Sequence, residues 1–209
     1  MAISIMKSKK EHWENVFATK KENEVSWYQQ KPEISINFFT DHQIPKDAKI
    51  IDIGGGDSYL IDSLLDLGYT NLFLLDISEN AIERIKSRLG EKGNRVTFIA
   101  SDILEFNSEI TFDVWHDRAS FHFLTTENEI KTYQNLVAKH VSNNGYLFIG
   151  TFSENGPTKC SGLEISQYSE QKCELTFGDR FEKSECFNAN HETPFDTIQN
   201  FIFCVFKKK

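Results

Sequence analysis

The stretch Asp52-Ile53-Gly54-Gly55-Gly56-Asp57-Ser58 sets three consecutive glycines between acids. Glycine lets the chain turn sharply and lets a ligand approach the backbone where a side chain would block it. Asp76 lies about 20 residues beyond the loop, where a carboxylate can accept hydrogen bonds from ribose hydroxyls. Asp102 follows the next apolar run, placed to accept from an adenine amino group with Ile103 packed on the ring. Each aspartate alone would serve as a solvated strand end or a helix cap. Together with the glycine run they describe a nucleoside pocket.

Two ligands compete for such a pocket. A nicotinamide dinucleotide calls for Gly-x-Gly-x-x-Gly, and the count from Gly54 meets Gly56 but ends on Tyr59. Its pyrophosphate would also face Asp52 and Asp57. S-adenosylmethionine carries no phosphate, and its sulfonium and ammonium groups are favoured by nearby carboxylates. The charge pattern selects the second ligand.

The elements that must position these residues follow from apolar periodicity. Lys49–Ile53 reads as a buried strand running into the glycines. Leu60, Ile61, Leu64 and Leu65 recur at helical spacing over 59–67, with Gly68 as the stop. A strand over 71–75 ends at Asp76. Ser78 is an N-cap for a helix running to Leu89 and closed by Gly90. Further strands are expected at Val96–Ala100 and 112–115. A helix over 127–141 then leads through Asn143-Asn144-Gly145 to a strand over 146–152. This alternation calls for a parallel sheet covered on both faces by helices. Segments 181–191 and 197–206 are joined by a connector too short for a helical crossover, so they should pair antiparallel. Ahead of the sheet, 9–20 is helical with Trp13, Val16 and Phe17 on its apolar face.

At 209 residues with 39% hydrophobic content, the chain suits one globular domain. The expected division is a helical lid over 1–40, a cofactor-binding core over 49–152, and a substrate-side loop with the hairpin over 153–209. The 18 Phe against 2 Met make a core of rings. A net charge of -8 opposes a broad phosphate-tracking surface, so no nucleic-acid partner is expected. The Lys207-Lys208-Lys209 tail reads as a solvated end. Met1 to Lys10 lacks the apolar core of a signal peptide, and no apolar run reaches membrane-spanning length. A cytoplasmic monomer without membrane partner is expected. Cys160, Cys173, Cys186 and Cys204 form no Cys-x-x-Cys pair, so reduced thiols, no disulfide and no metal are expected.

The stretch from Lys49 to about Phe152 resembles class I S-adenosylmethionine-dependent methyltransferases. Asp52-x-Gly54-x-Gly56 is similar to their first motif, Asp76 to their ribose-binding acid and Asp102-Ile103 to their adenine-pocket pair; Ser58 stands where many members have a third glycine. Trp115-His116-Asp117-Arg118-Ala119-Ser120 is similar to the Asp-Arg-Gly or Asp-Lys-Gly segment of thiopurine methyltransferases and methyltransferase-like lysine methyltransferases, with Ala119 replacing the glycine. His12-Trp13-Glu14-Asn15-Val16-Phe17 and Val25-Ser26-Trp27-Tyr28-Gln29 resemble the leader of those lysine methyltransferases. Gly156-Pro157-Thr158-Lys159-Cys160-Ser161-Gly162 resembles a substrate-side loop of a bacterial methyltransferase subgroup. The Asn-Pro-Pro-Tyr type motif of DNA and glutamine amino-methyltransferases is absent.

The resemblance implies a doubly wound, mostly parallel seven-stranded α/β sheet of the Rossmann-like methyltransferase type, finished by an antiparallel hairpin. It implies cofactor contacts from Trp27, Tyr28, Asp52, Gly54, Gly56, Ser58, Asp76, Ile77, Asp102 and Ile103, the first two through a lid with cation–π character. Asp117 would orient, and Arg118 would meet an anionic substrate group. His122 and His191 are candidate general bases. Methyl transfer needs no nucleophilic cysteine, because the sulfonium is already an activated leaving group. The acceptor stays open between a protein lysine and a small molecule. A module that binds the cofactor without turnover is the alternative.

Overall fold

The structure is a computed structural model that describes residues 2–209, with side chains from Lys9 onward; Met1 lies outside the described residues. Its α/β architecture contains a seven-stranded, mostly parallel sheet with an antiparallel hairpin, as the sequence predicts. The chain divides into two compact units, Met1–Glu105 and Phe106–Lys209.

The first unit comprises α1 (Ala2–Thr19), α2 (Glu33–Asp41), β1 (Lys49–Ile53), α3 (Leu60–Asp66), β2 (Asn71–Asp76), α4 (Glu79–Leu89) and β3 (Val96–Ala100). Its strands lie in the order β3-β2-β1, all parallel, with Asp52 opposite Leu74 and Asp76 opposite Ala100. This register brings the carboxyl ends of three strands to one edge. Ser78 caps α4 as expected, its hydroxyl accepting from the Ala81 amide at 3.2 Å. Ala81, Ile82, Ile85 and Leu89 form the buried stripe of that helix.

Helix α1 starts well before the 9–20 segment predicted, although Val16 and Phe17 are buried as expected. Helix α2 falls at the end of the segment expected to be a helical lid, where no separate element was predicted from sequence. It buries Ile36, Phe38 and Phe39, and the Tyr69 hydroxyl donates to the Phe39 and Ile44 carbonyls at 3.3 Å each.

The second unit comprises β4 (Phe112–Arg118), α5 (Glu127–His140), β5 (Val141–Phe152), β6 (Lys159–Cys160), β7 (Leu163–Glu164), α6 (Glu170–Phe177), β8 (Phe181–Glu192) and β9 (Ile198–Lys208). Strand β4 runs parallel to β5, and β9 antiparallel to both β5 and β8. The core here is built of rings: Phe121 lies 4.8 Å from Tyr133 and 5.3 Å from Phe177, which is 5.5 Å from Phe206. Helix α5 opens with a capping box, Thr126 and Glu129 exchanging side-chain and backbone hydrogen bonds.

Strand β4 continues three residues past its predicted end. The Asn143-Asn144-Gly145 turn loops out within β5, where the pairing passes from Val141 to Tyr146 and Asn144 takes a φ of 63°. The small β6–β7 hairpin turns at Ser161-Gly162, both left-handed, as a two-residue hairpin turn requires.

Two expectations are corrected. Cys186 and Cys204 face each other across β8 and β9, with Cα atoms 4.1 Å apart, and are joined by a disulfide. Sequence spacing could not show that long-range register. The lysine tail is not merely solvated: Lys208 Nζ donates to the Ala138 and Val141 carbonyls at 2.7 Å, satisfying the C-terminal end of α5. Among the described residues no helix is long and apolar enough to cross a membrane.

Candidate active site

The glycine turn is fixed from two sides. Gly54 and Gly55 amides donate to the Leu75 carbonyl at 2.8 and 3.3 Å, tying the end of β1 to the end of β2. Gly54 and Gly56 have φ of 61° and 53°, the left-handed region that favours glycine. Gly55 is required for a different reason: a Cβ there would stand 2.7 Å from Asp52 Oδ2 and 2.8 Å from Leu74 Cδ1.

Asp76 locks the same turn. Its Oδ2 accepts from the Gly56 amide and its Oδ1 from the Ser78 amide, both at 2.8 Å. Burial raises its pKa to about 7 despite those two amides, and the Asp57 and Asp52 charges push the same way. Asp52 is also buried. Asp57 is not available to the ligand in the way the sequence implies, because Arg84 holds its carboxylate in an ion pair at 2.9 Å. Asp52 and Asp76 are then the acids at the turn itself.

The Ser101 amide donates to the Asp76 carbonyl at 3.0 Å, which sets Asp102 along the same edge. Asp102 Oδ1 accepts from the Leu104 amide at 2.8 Å, and Ile103 is buried beside it. Ser58 donates its amide to the Gly55 carbonyl at 3.0 Å, while Ile77 is half-buried between Asp76 and the α4 cap.

The aromatic leader reaches this loop. Phe17 Cζ is 3.1 Å from where a Gly56 Cβ would sit, and Trp27 packs edge-on to Trp13 at 5.7 Å and to Phe17 at 6.5 Å. Trp27 therefore belongs to the cluster that borders the turn. Tyr28 is one ring further out, 6.3 Å from Tyr59.

Sequence reasoning missed three residues that build this site. Glu14 of α1 accepts from the Ser78 hydroxyl and from the Glu79 and Asn80 amides at 2.8 to 3.1 Å, filling the N-terminus of α4. Arg88 donates to the Asp57 and Ser58 carbonyls at 2.7 and 2.6 Å and pairs with Asp62 at 2.8 Å, clamping the loop exit beside Arg84. The four-residue spacing of Arg84 and Arg88 on one helix face was the available signal.

In the second unit, Asp117 is fully buried. Its Oδ1 accepts from the Ser120 and Phe121 amides at 3.0 Å, and its Oδ2 from the Tyr133 hydroxyl at 2.6 Å. Burial raises its pKa to about 6 in spite of these donors. Its carboxylate holds the turn after β4 together. Arg118 is half-buried, its guanidinium 5.7 Å from the Phe201 ring centre.

Ala119, where the resembling families carry glycine, has a φ of 69°. Its amide still donates to the Gly150 carbonyl at 2.7 Å, so the glycine geometry is kept with a strained residue. Ala119→Gly is expected to stabilise the fold by about 1 kcal/mol, since an L-residue there bears a Cβ clash of that order. Urea unfolding of both proteins checks this; an unchanged or lower midpoint contradicts it.

Residues 44–199 match the family model described as a methyltransferase domain. The chain is 31% identical over 121 residues to the eEF1A lysine and N-terminal methyltransferase of Mus musculus, covering 57% of this chain and 17% of that protein. It is 24% identical over 122 residues to EEF1A lysine methyltransferase 2 of Homo sapiens, covering 54% and 52% respectively. The chain therefore spans at most about half the length of these relatives. Among solved structures, a Burkholderia thailandensis 1,6-didemethyltoxoflavin-N1-methyltransferase with bound 1,6-didemethyltoxoflavin and S-adenosylhomocysteine superposes with a TM-score of 0.70 at 16% identity, over 99% of this chain and 86% of that one. At that identity the likeness concerns the fold.

Proposed function

Since this chain belongs to the methyltransferase-domain family, we propose that it transfers a methyl group from S-adenosylmethionine to a small-molecule acceptor. The observation that carries the cofactor half is the Asp76 carboxylate holding the Gly56 amide of a left-handed glycine turn. That turn is a cradle a Cβ would fill, and an adenosine fits its acids better than a pyrophosphate does. Asp76 would hold the ribose, Asp102 with Ile103 the adenine, and the backbone around Gly54, Gly56 and Ser58 the amino-acid end. Bound S-adenosylmethionine supplies an activated methyl group whose sulfur is the leaving atom. The chain contributes positioning and exclusion of water, the aromatic leader of Trp13, Phe17 and Trp27 being suited to the second task. The acceptor's lone pair forms the new bond to carbon as the sulfur–carbon pair returns to sulfur.

The acceptor half rests on Arg118, whose guanidinium lies over Phe201 and is suited to an anionic substituent. The second reading, a protein lysine, draws support from the relatives named for eEF1A. Incubation of purified chain with labelled S-adenosylmethionine and a cell lysate separates them. Label in the small-solute fraction is expected; label in protein bands would favour lysine, and label in neither would leave a cofactor-binding module.

A further inference from the structure

Within the first unit, the leader is bonded to the same residues that grip the glycine loop. Ser78 donates its hydroxyl to Glu14 of α1 at 2.9 Å and its amide to Asp76 at 2.8 Å. Arg84 pairs with Asp57 through one nitrogen at 2.9 Å and donates through the other to the Lys20 carbonyl. Arg88 donates to the Asp57 and Ser58 carbonyls and stands 3.9 Å from Glu22. Its guanidinium also lies 4.1 Å over the Tyr59 ring, whose hydroxyl donates to the same Glu22 at 2.9 Å. Three residues of α4 and its cap therefore carry the loop on one side and the leader on the other.

Sharing of this kind couples the two sides. A loop movement that turns Ser78, Arg84 or Arg88 lengthens or bends the bond each makes to the leader, and hydrogen bonds weaken steeply with misalignment. Glu14, Glu22, Arg84 and Arg88 are only half-buried, so each contact is modest alone. The leader is held by their sum, and that sum is complete in one loop geometry. The Lys10–Glu79 pair offers a contrast. It also joins α1 to α4, at 2.9 Å, but its side chains are largely exposed and it includes none of the three shared residues.

We propose that Glu14 and Glu22 are positioning residues that couple the leader to occupancy of the cofactor loop. A ligand that fixes the loop fixes Ser78, Arg84 and Arg88; the leader then closes on them and the ligand is retained longer. This rests on the methyltransferase reading above and adds how the cofactor is held. The test uses the full chain and S-adenosylhomocysteine. Saturation should slow hydrogen exchange of the leader amides over 9–28. Tritiated ligand, chased with unlabelled, should leave Glu14→Gln and Glu22→Gln each about tenfold faster than the native chain, as loss of a bond to a charged group implies. In both variants the ligand should no longer slow leader exchange, a readout that a merely stabilising residue would not move. Because both carboxylates act through one leader, the double variant should release ligand at most about threefold faster than either single one, whereas independent contacts multiply. Lys10→Ala should leave release within about twofold of native. Unchanged release from either single variant, leader exchange indifferent to ligand, a multiplicative double variant, or an equal effect of Lys10→Ala would overturn the proposal. A native chain that binds no S-adenosylhomocysteine would instead remove the reading beneath it.

Discussion

Asp76→Ala is expected to weaken S-adenosylhomocysteine binding by about 100-fold, roughly two hydrogen bonds to a charged group. Asp76 acts twice. In the proposed cofactor site it would offer acceptor oxygens to a ribose, and it holds the amides of Gly56 and Ser78, so alanine would remove a ligand contact and loosen the turn together. Asp76→Asn keeps one acceptor oxygen and should fall between. The raised pKa adds a pH signature. Ribose hydroxyls donate to the ionised carboxylate, so affinity should rise as pH increases through about 7. Stability runs the other way. The native carboxyl holds its proton up to about 7, whereas the unfolded one releases it near 3.8, so this residue's contribution to stability declines as pH rises between those values. Calorimetry at about pH 6 and about pH 8 reads the affinity trend directly; a flat or falling affinity contradicts it.

The largest stability effect is expected at Asp117. Alanine there strands the Ser120 and Phe121 amides and the Tyr133 hydroxyl in the interior. Each unmatched donor costs about 1–3 kcal/mol, so a loss of about 4 kcal/mol is expected. For a chain of this size that lowers the melting temperature by on the order of 10 °C. Tyr133→Phe removes one donor and its contact with Trp115 Nε1, and should cost about a third as much. Thermal melts followed by circular dichroism check both. An unchanged midpoint for Asp117→Ala would contradict this hold on the turn and return the carboxylate to direct chemistry.

What the sequence made legible was what local pattern encodes. Strands β1, β2 and β3, the Ser78 cap and the glycine turn each depend on residues close in the chain, and they stand where periodicity puts them. Asp76 and Asp102 followed, because acids at the ends of adjacent parallel strands share an edge. Features depending on distant partners were not legible. Glu14 serves a helix more than 60 residues away, Arg84 takes up Asp57, and Lys208 completes α5. The Cys186–Cys204 bond needs the β8–β9 register, which no spacing encodes. Helix α6 lacks a strong apolar stripe of its own and buries only Cys173 and Phe177. Asp117 carried a functional motif, and its saturation by local donors emerges only from the folded turn after β4.

The most direct test of the central claim is calorimetric titration of the purified native chain with S-adenosylhomocysteine. The glycine turn and its acids predict saturable binding of one ligand per chain. Absence of binding at millimolar ligand would contradict the cofactor assignment and reduce the Gly54–Gly56 loop to a structural turn.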